Sequence, residues 1–384
     1  MNNTSPDVFY QDVLINNIAS STPTPVLASM NESRTIPYLY NPYEYYGAVT
    51  QFTIDAGAIG IMNFEIQPSP IPPPENPDER QNDRNLGIYQ IVMSYNGTDV
   101  SGNVIWEPQN LAVSASQLPP PPSAFSDGLQ DLTTSYYTVY AYSWFNDLLY
   151  KTFVSVYDQL QVLQPTLPVG LYPNMDYISS TQLFSLYANA QYYNQSINPN
   201  AITINFNGPL NALFSYMPAS RILIGGNTYY KLIMNNSTTF TDNTIAPPEI
   251  YMTQERTSIR NWSQIASIVI TTQSLPIYKT NIFEPLVYYN NSLITGQLNN
   301  ALQESIILEY IDPNGLYNDR IAFNPTAQYP IFEMNSTSPL YNFDLKYYVR
   351  TTNGLLRPIY LGSGSACFTR MGYFKKSAFR NLKW

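Results

Sequence analysis

Nearly every apolar run in this chain has the length of a β-strand and is closed by turn residues, so a layered β-fold is its natural way to bury a core. The N-terminal third predicts strands over 8–15, 35–40, 49–54, 59–66, 88–95 and 104–106. The pair Asn96-Gly97 marks a hairpin between two of them, because a tight hairpin turn needs the positive φ that Asn and Gly tolerate. Further strands are predicted over 182–187, 201–206, 229–234 and 268–272, then over 306–311, 320–323, 329–332, 343–349, 355–361 and 366–374, while the Tyr- and Thr-rich segment 133–142 suits helix or strand equally. A turn at Asn207-Gly208-Pro209 introduces a short apolar stretch, 210–217. One segment breaks the pattern. Phe145, Leu149, Phe153, Val156, Leu160 and Leu163 recur at three- and four-residue spacing, and Pro165 ends the run, which predicts an amphipathic helix.

These elements describe a mainly β chain, a sandwich carrying an inserted portion that contains the helix. The 384 residues suit two domains or one jelly roll with large insertions. We place the base domain at 1–115 and 260–384 and the inserted upper domain at 116–259. Proline-rich segments at 68–85 and 117–128 read as stiff connecting loops in preference to docking peptides.

Composition limits the chemistry. The chain has no histidine, which removes the commonest general base and metal ligand. Cys367 stands alone, so neither a disulfide framework nor a zinc spacing exists. No metal, cofactor or catalytic residue is therefore assigned. Charged residues make up only 12%, against 34 tyrosines, and seven lysines remain where an AT-rich genome would supply more. Tyrosine gives contact area at small entropic cost while lysine must be desolvated, so this balance suits a subunit with much of its surface against neighbours. The net charge of −9 argues against general nucleic-acid affinity. With no run of 18 apolar residues and a polar N-terminus, neither a membrane span nor a signal peptide is expected.

Charge is nevertheless segregated. Arg370, Lys375, Lys376, Arg380 and Lys383 lie in a C-terminal stretch free of acidic residues, with Phe374, Phe379 and Trp384 interleaved. Such a tail suits packaged nucleic acid or an acidic neighbouring subunit equally well. The carboxylate pairs Asp78 with Glu79 and Glu304 with Glu309 match only the bare requirement of a glycosidase, a very weak signal, and a solvated charge cluster with Arg80, Asp83 and Arg84 explains the first more simply. Gly225-Gly226 and Gly362-Ser363-Gly364-Ser365 lack the Lys-Ser/Thr ending of a phosphate loop and read as turns.

The C-terminal third carries a resemblance. The segments Ile321-Ala322-Phe323-Asn324-Pro325-Thr326-Ala327-Gln328-Tyr329, Pro339-Leu340-Tyr341-Asn342-Phe343-Asp344-Leu345, Leu356-Arg357-Pro358-Ile359-Tyr360 and Gly362-Ser363-Gly364-Ser365-Ala366 resemble the penton, or minor capsid, proteins of virophages and related double-jelly-roll viruses. The similarity is clearest over residues 175–376. It implies a single jelly-roll base with an inserted upper domain, assembled as a homopentamer at the five-fold vertices of an icosahedral double-stranded DNA virus. The implied partners are further copies of the chain, the major capsid protein of the same virion and, through the basic C-terminus, packaged DNA. The implied location is the virion, assembled inside the host cell. A carbohydrate-binding or carbohydrate-cleaving β-sandwich is the alternative, motivated by abundant Tyr and four Trp.

Overall fold

The computed structural model describes residues 6–17, 26–55, 59–67, 85–109, 122, 130, 135–242, 244, 247–263, 265–278, 287–289, 292–294, 304–310, 320–325, 329–352, 354, 356–362 and 364–379. The chain divides into two compact units. One comprises Met1–Gly60 with Gln264–Trp384, and the other is Ile61–Ser263.

Eight strands organise the discontinuous unit, numbered here in chain order. They are β1 (Val8–Asn16), β2 (Ser29–Ser33), β3 (Tyr45–Asp55), β4 (Ile265–Thr272), β5 (Ser305–Tyr310), β6 (Arg320–Phe323), β7 (Asn342–Thr351) and β8 (Ala366–Lys375). All their pairings are antiparallel. The first strand pairs with the eighth, the second with the seventh, the third with the sixth and the fourth with the fifth. The nested ladder closes into two sheets because β8 also pairs with β3 and β7 with β4. The resulting orders, β1-β8-β3-β6 and β2-β7-β4-β5, are those of a jelly roll. A short strand at Ile331–Glu333 continues β6 along the other half of β3.

Register fixes the ends of this unit. Asn16 faces Ala366, Ile54 faces Cys367 and Asp55 faces Arg320, so β1 and β3 end where β6 and β8 begin. The chain leaves for the other unit at that end, and Ala366 donates its amide to the Asp55 carboxylate there. At the opposite end Lys375 donates its amide to the Asp7 carbonyl, so the first and last strands meet there.

Alternation decides which side chains fill the sandwich. Val13 on β1 points inward while Tyr10, Asp12 and Leu14 point out. Phe52 from the first sheet stacks on Tyr347 from the second at 5.9 Å, and the Tyr347 hydroxyl donates to Thr369 Oγ1 at 2.7 Å, joining the two sheets. Val13, Ile54, Ile268, Ile270, Phe343 and Leu345 complete a core removed from water.

The unit Ile61–Ser263 builds its own core. A five-stranded antiparallel sheet runs Ala219–Ile224, Asn227–Leu232, Thr203–Asn207, Leu86–Tyr95, Thr98–Ile105, and a four-stranded one runs Phe240–Asp242, Glu249–Thr253, Leu183–Asn189, Asn174–Ile178. The helix α1 (Tyr142–Leu163) packs against Thr98–Ile105, Leu86–Tyr95 and Asn174–Ile178. Its close approach depends on Gly102, where a Cβ would lie 2.6 Å from Val156 Cγ2. Phe145, Leu149, Phe153, Val156 and Leu160 form its buried face, as their spacing predicts, while Leu163 is exposed. At the centre Trp262 stacks on Phe184 at 5.1 Å and meets Phe145 and Phe214 edge-on at 4.9 and 5.4 Å. Burial leaves its polar tip satisfied, since Trp262 Nε1 donates to the Leu213 carbonyl at 2.8 Å.

Several sequence expectations change. The first domain boundary lies at Gly60 rather than at 115, because Leu86–Tyr95 pairs with Thr203–Asn207 and so belongs to the insert with its hairpin partner Thr98–Ile105. The second lies at Ser263 rather than 259. The segment 35–40 is bent, held by a single bridge between Leu39 and Leu340, while β2 was not predicted. The Asn96-Gly97 turn is as expected, with φ of 47° and 78°. The proline-rich segments lie almost wholly outside the described residues.

Candidate functional site

Three of the five C-terminal basic residues lie within the described chain, and each already has a carboxylate. Arg370 stands directly opposite Asp12 in the β1–β8 ladder and grips it with two hydrogen bonds, Nε to Oδ1 at 2.6 Å and Nη2 to Oδ2 at 2.8 Å. The guanidinium holds the Asp12 carboxyl below its ordinary range. Lys375 lies 3.9 Å from Glu44. Lys376 donates to Glu333 at 2.6 Å and sits over the Tyr43 ring at 4.5 Å and the Tyr46 ring at 5.2 Å. The acidic partners lie far away in sequence, so a reading of the C-terminus alone could not find them. Arg380 and Lys383 fall outside the described residues.

The carboxylates considered for catalysis are likewise committed to structure. Glu304 is buried and accepts from Lys346 Nζ at 2.6 Å, Thr271 Oγ1 at 2.5 Å, Tyr348 Oη at 3.1 Å and Gln273 Nε2 at 3.2 Å. Glu309 bridges Arg350 at 3.1 Å and accepts from Ser267 Oγ at 2.7 Å. Both tie β5 and its approach to β4 and β7. Asp78 and Glu79 lie outside the described residues. Among the described residues no cluster of three or more His, Cys, Asp or Glu side chains could hold a metal ion. Cys367 is buried against Tyr347, and burial pushes its thiol up to about 12, which keeps it protonated and inert.

The surface of the discontinuous unit is more informative than these groups. Among the described residues strand β1 is an edge, paired only with β8, and it turns Tyr10 and Leu14 outward at 57% and 62% exposure. Val8 lies on the same face, and Ile331, also exposed, flanks β3. An edge strand presents unpaired backbone groups, and one with outward apolar side chains is built to be covered. The sequence signal was available in the alternation of 8–16, although nothing in it showed which face would stay bare. No helix of the described chain is long and apolar enough to cross a membrane.

Comparison with known proteins agrees with this architecture. The family model described as the Sputnik minor capsid protein V18/19 matches residues 8–376. The uncharacterized protein V18 of Sputnik virophage is 27% identical over 169 residues, which is 43% of this chain and 88% of that protein. A chain of the Sputnik virophage cryo-EM structure superposes with a TM-score of 0.71 at 23% identity, covering 99% of this chain and all of that one. The crystal structure of the mavirus penton protein gives a TM-score of 0.56 at 13% identity over 95% of this chain and 99% of that one.

Proposed function

The chain belongs to the Sputnik minor capsid protein V18/19 family, and from that premise we propose that it forms the pentameric capsomer at the five-fold vertices of an icosahedral double-stranded DNA virus. It acts by assembly, not catalysis. The observation that carries this reading is the jelly roll itself, with a self-contained insert of its own core between β3 and β4. A sandwich whose large insert leaves from one end can pack side by side with its copies without the insert disturbing its core. The likeness of fold to the mavirus penton protein supports the same placement.

A five-membered ring is closed by heterologous contacts, so each subunit needs two different complementary patches. The bare face of β1, with Val8, Tyr10 and Leu14, supplies one of them. The scarcity of lysine and the abundance of tyrosine suit contacts with further copies and with the major capsid protein. The end at which the chain leaves for the insert faces outward, and the end bearing Lys375 and Lys376 faces the particle interior. Arg370, Lys375 and Lys376 are each matched by a carboxylate of this chain, which weakens the case for a general contact of these three residues with packaged DNA. A cryo-EM map of purified particles tests the proposal. Tracing this chain into the five-fold density supports it, and a different chain in that density overturns it.

A further inference from the structure

Cross-strand register in the insert aligns aromatic rings that are far apart in sequence. In the four-stranded sheet Phe240 faces Tyr251, and Tyr251 faces Tyr187, on three successive strands. The neighbouring ring centroids lie 5.5 and 5.6 Å apart with interplanar angles of 26° and 29°, so the rings form one continuous row across the sheet. Ile250, Met252, Leu186 and Ala188, which alternate with them, face the core, so the row is on the outer face. Phe240, on the edge strand, is 65% exposed. A single exposed apolar residue needs no explanation, but three rings in register make a patch.

Polar side chains border the row on both sides. Period-two alternation places Asp176 and Thr253 along one flank, where Thr253 Oγ1 pairs with the buried Ser185 hydroxyl at 2.7 Å, and Asn189, Glu249 and Asp242 along the other. The four strands contain no Lys or Arg. Phosphate, sulfate and carboxylate ligands are therefore disfavoured. Local hydrogen bonds fix two of the carboxylates in place without removing their charge: Asp242 accepts from the Thr244 amide and hydroxyl at 2.8 and 2.5 Å, and Asp176 from the Tyr177 amide at 2.8 Å. What remains is a strip of aromatic surface edged with hydrogen-bond acceptors and hydroxyls. Its complement has apolar C–H faces to lie on rings and many hydroxyl donors around its rim.

We propose that this face binds a neutral glycan, with Phe240, Tyr251 and Tyr187 as the stacking row and Glu249, Asp176 and Thr253 as rim hydrogen-bonding groups. The rings stack on one another, so the contact surface is the exposed end of the row at Phe240 with the ring edges behind it, and such a site needs no deep cavity. The site gives the protein an attachment role separable from capsid assembly.

Affinity electrophoresis of the full chain tests this, with gels containing yeast mannan, laminarin or hydroxyethylcellulose as neutral probes, heparin as an anionic one and polylysine as a cationic one. The expected result is retardation by at least one neutral polysaccharide and none by heparin. Phe240→Ala and Tyr251→Ala should each weaken that retardation about tenfold, while circular dichroism and thermal unfolding show the fold retained, as the exposure of Phe240 allows. No retardation by any of the three neutral probes overturns the proposal. So does retardation that both variants preserve, or a row-dependent shift with polylysine alone, which would make the face a site for a cationic protein segment.

Discussion

The two units of this chain reach stability by different routes. Among the described residues, seven of the eight ion pairs belong to the jelly roll, and the insert has only Lys151 with Glu107. The insert instead centres on contiguous rings, where Phe64, Tyr89, Trp106, Phe145, Phe184, Phe214 and Trp262 touch one another in stacked, tilted and edge-on pairs. Aromatic packing is insensitive to salt and acid, whereas ion pairs respond to both. The jelly roll is thus expected to be the half of the molecule that responds more to salt and acid.

The sharpest test of that division is Trp262→Ala. Removing the ring at the centre of the insert should lower that unit's stability by about 3–5 kcal/mol, seen by calorimetry as a fall of one transition while the other stays in place. A joint fall of both transitions would show that the units unfold together. The matching change in the jelly roll is Lys346→Met, which leaves the buried Glu304 without its cation. Loss of one partner from a buried pair, softened here by the remaining hydroxyl and amide donors, should cost about 2–3 kcal/mol. Adding Glu304→Gln should restore part of it, so a double-mutant cycle reads the coupling.

Acid should separate the units further. Asp12 and Glu32 have carboxyls held below their ordinary values of 3.8 and 4.5 by hydrogen bonds from Arg370 and Arg34. Their contribution is present above those values and is lost as pH falls through the depressed ones. Near-UV circular dichroism taken downward from pH 5 should show the jelly roll loosening first, by a modest amount because both pairs are solvent-exposed. Without histidine no step is expected near pH 6.5. The smallest effect expected is at Cys367. Its buried, raised thiol should resist iodoacetamide at pH 8 in the folded protein and react only once the jelly roll opens.

Much of the architecture was legible in the sequence, and the exceptions have physical causes. The helix was visible because Phe145 to Leu160 repeat at helical spacing, and β1, β3, β7 and β8 because their apolar residues recur at strand length. Strand β2 was hidden by its composition. Ser29–Ser33 is a half-exposed partner along the edge of β7, so hydrogen bonding and not apolar burial defines it. The first domain boundary was misplaced because the proline-rich segments look like linkers, while the true division at Gly60 has no comparable mark. The basic C-terminus was legible as a charge run but not as a set of ion pairs, since Asp12, Glu44 and Glu333 reach it only through strand register and turns. The aromatic row was invisible for the same reason, as Tyr187 and Phe240 meet only through Tyr251.

The nested pairing of the jelly roll also sets a schedule for synthesis. A ribosome completes residues 61–263 with all their partners already in hand, so the insert can fold while the rest of the jelly roll is still being made. Strand β1 emerges before the insert and must wait for β8, because its ladder partner is translated after the insert. Strand β8 is also central, flanked by β1 and β3, so a chain cut short before it carries a finished insert on an unfinished support. Translation through β8 thus becomes a condition for a finished sandwich, a check written into the order of the strands.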